Sequence, residues 1–76
     1  MEINEFIAHF AEQFDDTELN EFKPETVFKE LDEWSSLMAL TIIAMIDEEY
    51  EVSIKADDIN SSKTIEDLFN IVKSKA

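Results

Sequence analysis

Two neighbouring hydroxyls, Ser35 and Ser36, stand in "DEWSSLMALTIIAMIDEEY" (residues 32–50) at the head of the most apolar segment of the chain. Helix N-termini favour serine because its oxygen accepts a hydrogen bond from an otherwise unpaired backbone N–H, so either residue can be a structural cap. The same end of a helix stabilises a phosphate through its free N–H groups and the positive end of the macrodipole, so a serine there is suited to carry a phosphodiester. Other chemistries lack their parts. No cysteine is present to supply a thiolate or a zinc knuckle, and the single His9 cannot by itself complete a triad or a histidine metal site. The absence of glycine removes phosphate-cradling loops and dinucleotide fingerprints. The pairs Asp15-Asp16 and Asp57-Asp58 lack the alternating ligands and the glycine of a calcium loop, and read as solvated loop charges.

Seventy-six residues make one small domain, residues 1–76, with room for a modest core but not for two lobes around a substrate cleft. A 45% hydrophobic content supports folding, while a formal net charge of -13 opposes compaction by self-repulsion. Nineteen carboxylates face six lysines. That balance argues against nucleic acid and anionic membrane surfaces, and for steered encounter with basic patches on other proteins. No basic, then apolar, leader opens the chain, and the longest apolar stretch, residues 37–46 with Thr41 inside it, is far short of the ~20 residues that span a bilayer. The expectation is a cytoplasmic monomer without membrane insertion or a metal.

Three amphipathic segments must hold the serine pair in place. Ile3, Phe6, Ile7, Phe10 and Phe14 define the core face of a first helix, opposite Glu2, Glu5, His9 and Glu12, which leaves His9 as an exposed surface residue. From Asp15 to Glu33 the periodicity lapses around Pro24 into a long connection, anchored by Leu19, Phe22, Val27, Phe28 and Leu31. A second helix runs from near Ser36 to near Tyr50, followed by an extended return through Val52 and Ile54. "ADDIN" (56–60) makes a turn with Ile59 inward. Thr64 with Asp67 three positions later reads as a capping box that opens a last helix, whose apolar set is Ile65, Leu68, Phe69 and Val72. The fold class is all-α: a small bundle of three main helices plus a short connecting helix, with a long loop between the first and second.

At ~100° per residue the central helix separates into two apolar regions. Ala39, Ile42, Ile43, Ile46 and Tyr50 suffice to pack it on its neighbours. Leu37, Met38, Leu40, Ala44 and Met45 are surplus, with Thr41 and Glu48 among them. This second side is either covered by the long loop or open to another protein, for which its methionines are suited. Trp34, just ahead of the helix, is expected to pack as an N-terminal staple on Met38 or Leu37.

The segment "FKELDEWSSLMALTIIAMIDEEYEVSI" with "KTIEDL" resembles the acyl carrier proteins and the related peptidyl and aminoacyl carrier domains, over essentially the whole chain. Phe28 and Leu31 match the loop's anchoring pair, Ser36-Leu37 the Ser-Leu of the family's Asp-Ser-Leu signature, and "IDEEYEVSI" the acidic end of the second helix. The resemblance implies a non-catalytic carrier whose Ser36 bears a 4'-phosphopantetheine arm, installed from coenzyme A by a phosphopantetheinyl transferase. Its thiol would hold acyl or aminoacyl thioesters for loading and processing enzymes of a fatty-acid, polyketide or specialised pathway. Leu37, Met38, Leu40, Thr41 and Ala44 would meet the apolar docking patches of these enzymes, and Asp47 and Glu48 their basic ones. A long acyl cargo would tuck among residues such as Ile42, Ile46, Ile59 and Val72.

Three departures stand out. Ser35 replaces the aspartate that ordinarily precedes the signature serine, "DEW" stands where a glycine is usual, and Met38 and Thr41 occupy positions where fatty-acid carriers commonly place acids. Serine replaces aspartate as a cap without its charge. Ser35 is an alternative attachment point, disfavoured because Leu37 follows Ser36 directly. The competing reading is an unmodified acidic interaction domain that keeps the carrier fold without cargo.

Overall fold

Hydrophobic spacing translates directly into helices in the computed structural model, which describes residues 2–76. They are α1 (Ile3–Ala11), α2 (Ser36–Tyr50), α3 (Ala56–Ser61) and α4 (Ile65–Lys75), and no strand occurs among the described residues. The all-α bundle, with its long loop between α1 and α2 and a short third helix, is the architecture expected. α1 packs on both α4 and α2, and α3 bridges α2 and α4. The radius of gyration is 11.0 Å, close to the ~11 Å expected of a folded chain of this length, so the charge does not swell it.

Each helix starts and stops for a local reason. α4 opens on the capping box: the Thr64 hydroxyl accepts from the Asp67 N–H, and the Asp67 carboxylate accepts from the Thr64 N–H. Those bonds hold the Asp67 carboxyl below the usual carboxylate range. α2 ends where Glu51 enters the left-handed region, φ 55°, and sends its N–H back to the Asp47 carbonyl. Glycine normally takes that post, and this chain has none. α1 ends at Ala11, short of Phe14, yet a tightening turn (Phe14 N–H to Ala11 carbonyl, 3.0 Å) still delivers the Phe14 ring to the core.

The core is largely aromatic on the α1 side. Phe6 meets Phe69 (5.5 Å between ring centres) and Phe10 (6.4 Å); Phe10 meets Phe28 (5.6 Å) and Phe22 (6.1 Å). Ile42, Ile46, Ile59, Ile65, Leu68 and Val72 close it from the other helices. Val52 and Ile54 of the extended return are buried as expected.

The long connection is tied down at several points rather than left loose. Phe22 and Phe28 are buried, Val27 and Leu31 half-buried, and two 3-10 turns, Leu19–Glu21 and Phe28–Glu30, shorten it. The carbonyls of Pro24 and Thr26 accept from the N–H groups of Glu66 (2.9 Å) and Ile65 (3.1 Å), satisfying donors that the first turn of α4 leaves free. The Lys29 ammonium reaches the Asn60 carbonyl.

Four expectations need correction. Leu19 is not an anchor: it is 64% exposed, because Phe22 takes the inward position against Phe14 at 5.0 Å. Met45 is not surplus but core, since it stands one turn from Ile42 and the buried stripe of α2 swings toward it, leaving Ile43 half-buried. Of the two staples expected for Trp34, Leu37 points to solvent instead, and the indole lies edge-on to the ring of Phe28 at 4.9 Å. His9 is half-buried, edge-on to Tyr50 at 5.8 Å, and lies within 4.0 Å of carboxylate oxygens of Glu5, Glu12 and Glu49. Among the described residues no cluster of histidines and acids is arranged to hold a metal.

Candidate functional site

The two serines occupy different positions at the start of α2. Ser35 is extended (φ −159°, ψ 172°) and is the N-cap of α2: its Oγ accepts from the Met38 N–H at 3.1 Å and its carbonyl from the Ala39 N–H at 3.0 Å. Ser36 is the first helical residue and is exposed, and among the described residues its hydroxyl has no hydrogen-bond partner. The cap is therefore supplied by one hydroxyl and the other is left free. A phosphodiester on Ser36 would sit beside the first-turn N–H groups and the positive end of the α2 dipole, with no carboxylate in that first turn to repel it. The donor set thus fits the phosphate of a pantetheine arm. Ser35, in the place of an aspartate, brings no charge of its own.

At ~100° per residue, Ser36, Leu37, Leu40, Ala44, Asp47 and Glu48 fall on the outer half of α2, and all six are exposed. Leu37 is 73% and Leu40 62% exposed. Thr41 lies at the edge of this face, half-buried, its hydroxyl donated to the Leu37 carbonyl (3.0 Å). Met38 lies on the other flank and packs partly on the core, so the structure does not bring it to the same outer face. At the far end Asp47, Glu48 and Glu49 occupy the negative end of the helix dipole with no base in the last turn. Folding alone disfavours that arrangement.

The approach to the serine pair is fastened by Glu33. Its carboxylate accepts from the backbone N–H groups of Asp15 (3.1 Å) and Asp16 (3.1 and 3.2 Å) and from the Thr17 hydroxyl. The Thr17 hydroxyl, followed by these N–H groups, holds the Glu33 carboxyl below the usual range despite some desolvation. This clasp joins the exit of α1 to the segment three residues ahead of Ser36. Sequence reasoning missed it, since a carboxylate and its hydroxyl and backbone donors 16 to 18 positions away leave no pattern to read. Trp34 adds a second fastening through Phe28, and its backbone N–H donates to the Leu31 carbonyl at 2.9 Å.

The residues expected to line a cargo space, Ile42, Ile46, Ile59 and Val72, interlock at 0 to 2% exposure in the core. A concavity among the described residues lies elsewhere, a groove of about 290 Å³ lined by Ala8, Ala11, Glu12, Thr17 and Leu19.

A helical bundle with an exposed serine at the tip of its second helix has the arrangement expected of a carrier-type domain. The family model for the phosphopantetheine attachment site matches residues 4–72, and the chain belongs to this family. Its members carry 4'-phosphopantetheine covalently and are generally non-catalytic carriers that work with phosphopantetheinyl transferases and biosynthetic enzymes. Comparison with curated proteins finds no matching relative. No helix of the described residues is long and apolar enough to cross a membrane.

Proposed function

We propose that residues 1–76 act as one cytoplasmic, monomeric carrier unit, itself without catalytic activity, whose Ser36 bears the arm. A transferase joins Ser36 Oγ to the pantetheine phosphate of coenzyme A as the pyrophosphate linkage breaks and the nucleotide half leaves. The arm's thiol then holds acyl or aminoacyl groups as thioesters for delivery to partner enzymes of a fatty-acid, polyketide or specialised biosynthetic pathway. Leu37, Leu40 and Ala44, with Thr41 and Met38 at the margins, give those partners an apolar landing face, and Asp47 and Glu48 attract their basic patches. Tethering raises the effective concentration of the cargo at each docked enzyme, while exposed ion pairs release quickly.

The observation that supports this most is the division between the serines: Ser35 caps and Ser36 is free. A second reading, an unmodified acidic interaction domain, draws on Ser35 itself, because the uncharged cap offers a transferase and its metal no carboxylate. Intact mass after incubation with coenzyme A and a broad-specificity transferase separates the two. Gain of one arm, abolished in Ser36→Ala and kept in Ser35→Ala, is the expected result. No gain with any transferase tried favours the interaction domain.

A further inference from the structure

The first 22 residues hold seven carboxylates and no lysine or arginine, so under a third of the chain carries more than half of its net charge of -13. Within this stretch lies the groove between the C-terminal half of α1 and the loop that follows. Ala8 and Ala11, one turn apart, give it a shallow apolar floor, the exposed Leu19 is an apolar wall, and Glu12 and Thr17 complete it. At about 290 Å³ it falls just below the roughly 300–1,000 Å³ of small-molecule pockets, and it has the scale of one or two apolar side chains. The Thr17 wall is not free to collapse, because its hydroxyl and the N–H groups of Asp15 and Asp16 are held by Glu33. None of its lining residues belongs to α2.

We infer that this groove is a second docking site, separate from the outer face of α2, and that it takes a basic amphipathic helix of a partner protein. An apolar side chain of that helix seats on Ala8 and Ala11 against Leu19, and flanking lysines or arginines meet Glu12 and the neighbouring exposed carboxylates Asp15, Asp16 and Glu18. Charge selects the occupant: a neutral or acidic helix with the same apolar stripe meets only repulsion or indifference here, whereas a basic one is steered in. The site does not depend on whether Ser36 carries an arm.

The probe is a synthetic helical peptide with leucines at i, i+3 and i+4 on one face and lysines on the other, titrated into isotopically labelled protein and followed by backbone amide shifts. Saturable shifts are expected at Ala8, Ala11, Thr17 and Leu19. Filling the groove with Ala8→Trp, or removing its wall with Leu19→Ser, is expected to weaken binding by about tenfold or more, the loss of one seated apolar anchor. Leu40→Ser on α2 leaves it unchanged. Both altered positions are exposed, and retained spectral dispersion verifies folding of each variant. The proposal is overturned by an absence of saturable shifts, by shifts confined to Leu37 and Leu40, by equal binding of a peptide with glutamates in place of the lysines, or by unchanged affinity in both groove variants.

Discussion

The inner and outer faces of α2 are both apolar, the inner through Ile42, Met45 and Ile46 and the outer through Leu37, Leu40 and Ala44, and differ in what meets them. Ile42, Met45 and Ile46 are at most 6% exposed, whereas Leu37 and Leu40 are 73% and 62% exposed only a turn away. One stripe is consumed by the bundle and the other contributes nothing to it. Apolar content on a helix is therefore not a measure of its burial, and the exposed stripe is the one the proposed function assigns to partner enzymes.

Substitutions on the two faces should part company accordingly. The largest effect is expected inside: Ile46→Ala should cost about 2–5 kcal/mol in denaturant-induced unfolding, and a loss under 1 kcal/mol would mean that the two faces are less distinct than their exposure implies. At the tip of the helix, Ser35→Ala removes a cap and should cost about 1 kcal/mol, while Ser36→Ala should leave stability unchanged and abolish the mass gain from coenzyme A. Equal destabilisation by both would break the division between the serines.

Tyr50 tests the seam between the faces. Its hydroxyl is buried without a partner among the described residues, and desolvation first, then Glu5 and Glu49, push its ionisation from 10.0 up to about 12. Tyr50→Phe should thus be neutral or stabilising by about 1 kcal/mol near pH 7. Because the folded-state value is raised, the contribution of the neutral tyrosine is complete below pH 10 and is lost as pH rises through about 12. Alkaline unfolding curves of wild type and Tyr50→Phe should diverge across that window, and parallel curves would refute it. The smallest stability effect belongs outside: Leu40→Ser should change unfolding by no more than about 0.5 kcal/mol yet lower the transferase's kcat/KM several-fold.

What was legible in the residues was whatever repeats along one element. The spacing of Phe6, Ile7 and Phe10, the Thr64–Asp67 box and the Ser36-to-Tyr50 span all arise from local geometry, and the helices follow them. Misreadings came where neighbours decide. A helical projection cannot tell whether Met45 or Ile43 will turn inward, because that depends on how α1, α3 and the loop lean on α2. Leu19 and Phe22 compete for one inward place, and the bulk of the ring wins it. For His9, Glu5 and Glu12 are neighbours on α1 itself, but Glu49 and the ring of Tyr50 are invisible as company until α1 is laid beside the end of α2. The Glu33 clasp was hidden for the same reason: its donors, the Thr17 hydroxyl and two backbone N–H groups, lie far off along the chain, where no local pattern announces them.

The interlocked centre of the bundle also sets terms for a tail carried on the proposed arm. With Ile42, Ile46, Ile59 and Val72 already in contact at 0 to 2% exposure, a guest must wedge the helices apart before it gains anything. Each methylene then returns only ~0.8 kcal/mol against the strain of overfilling a packed interior. Under the proposed function a short cargo would fall short of that threshold and stay in water, and only an extended one would cross it, so the length of the tail would decide whether it shelters indoors.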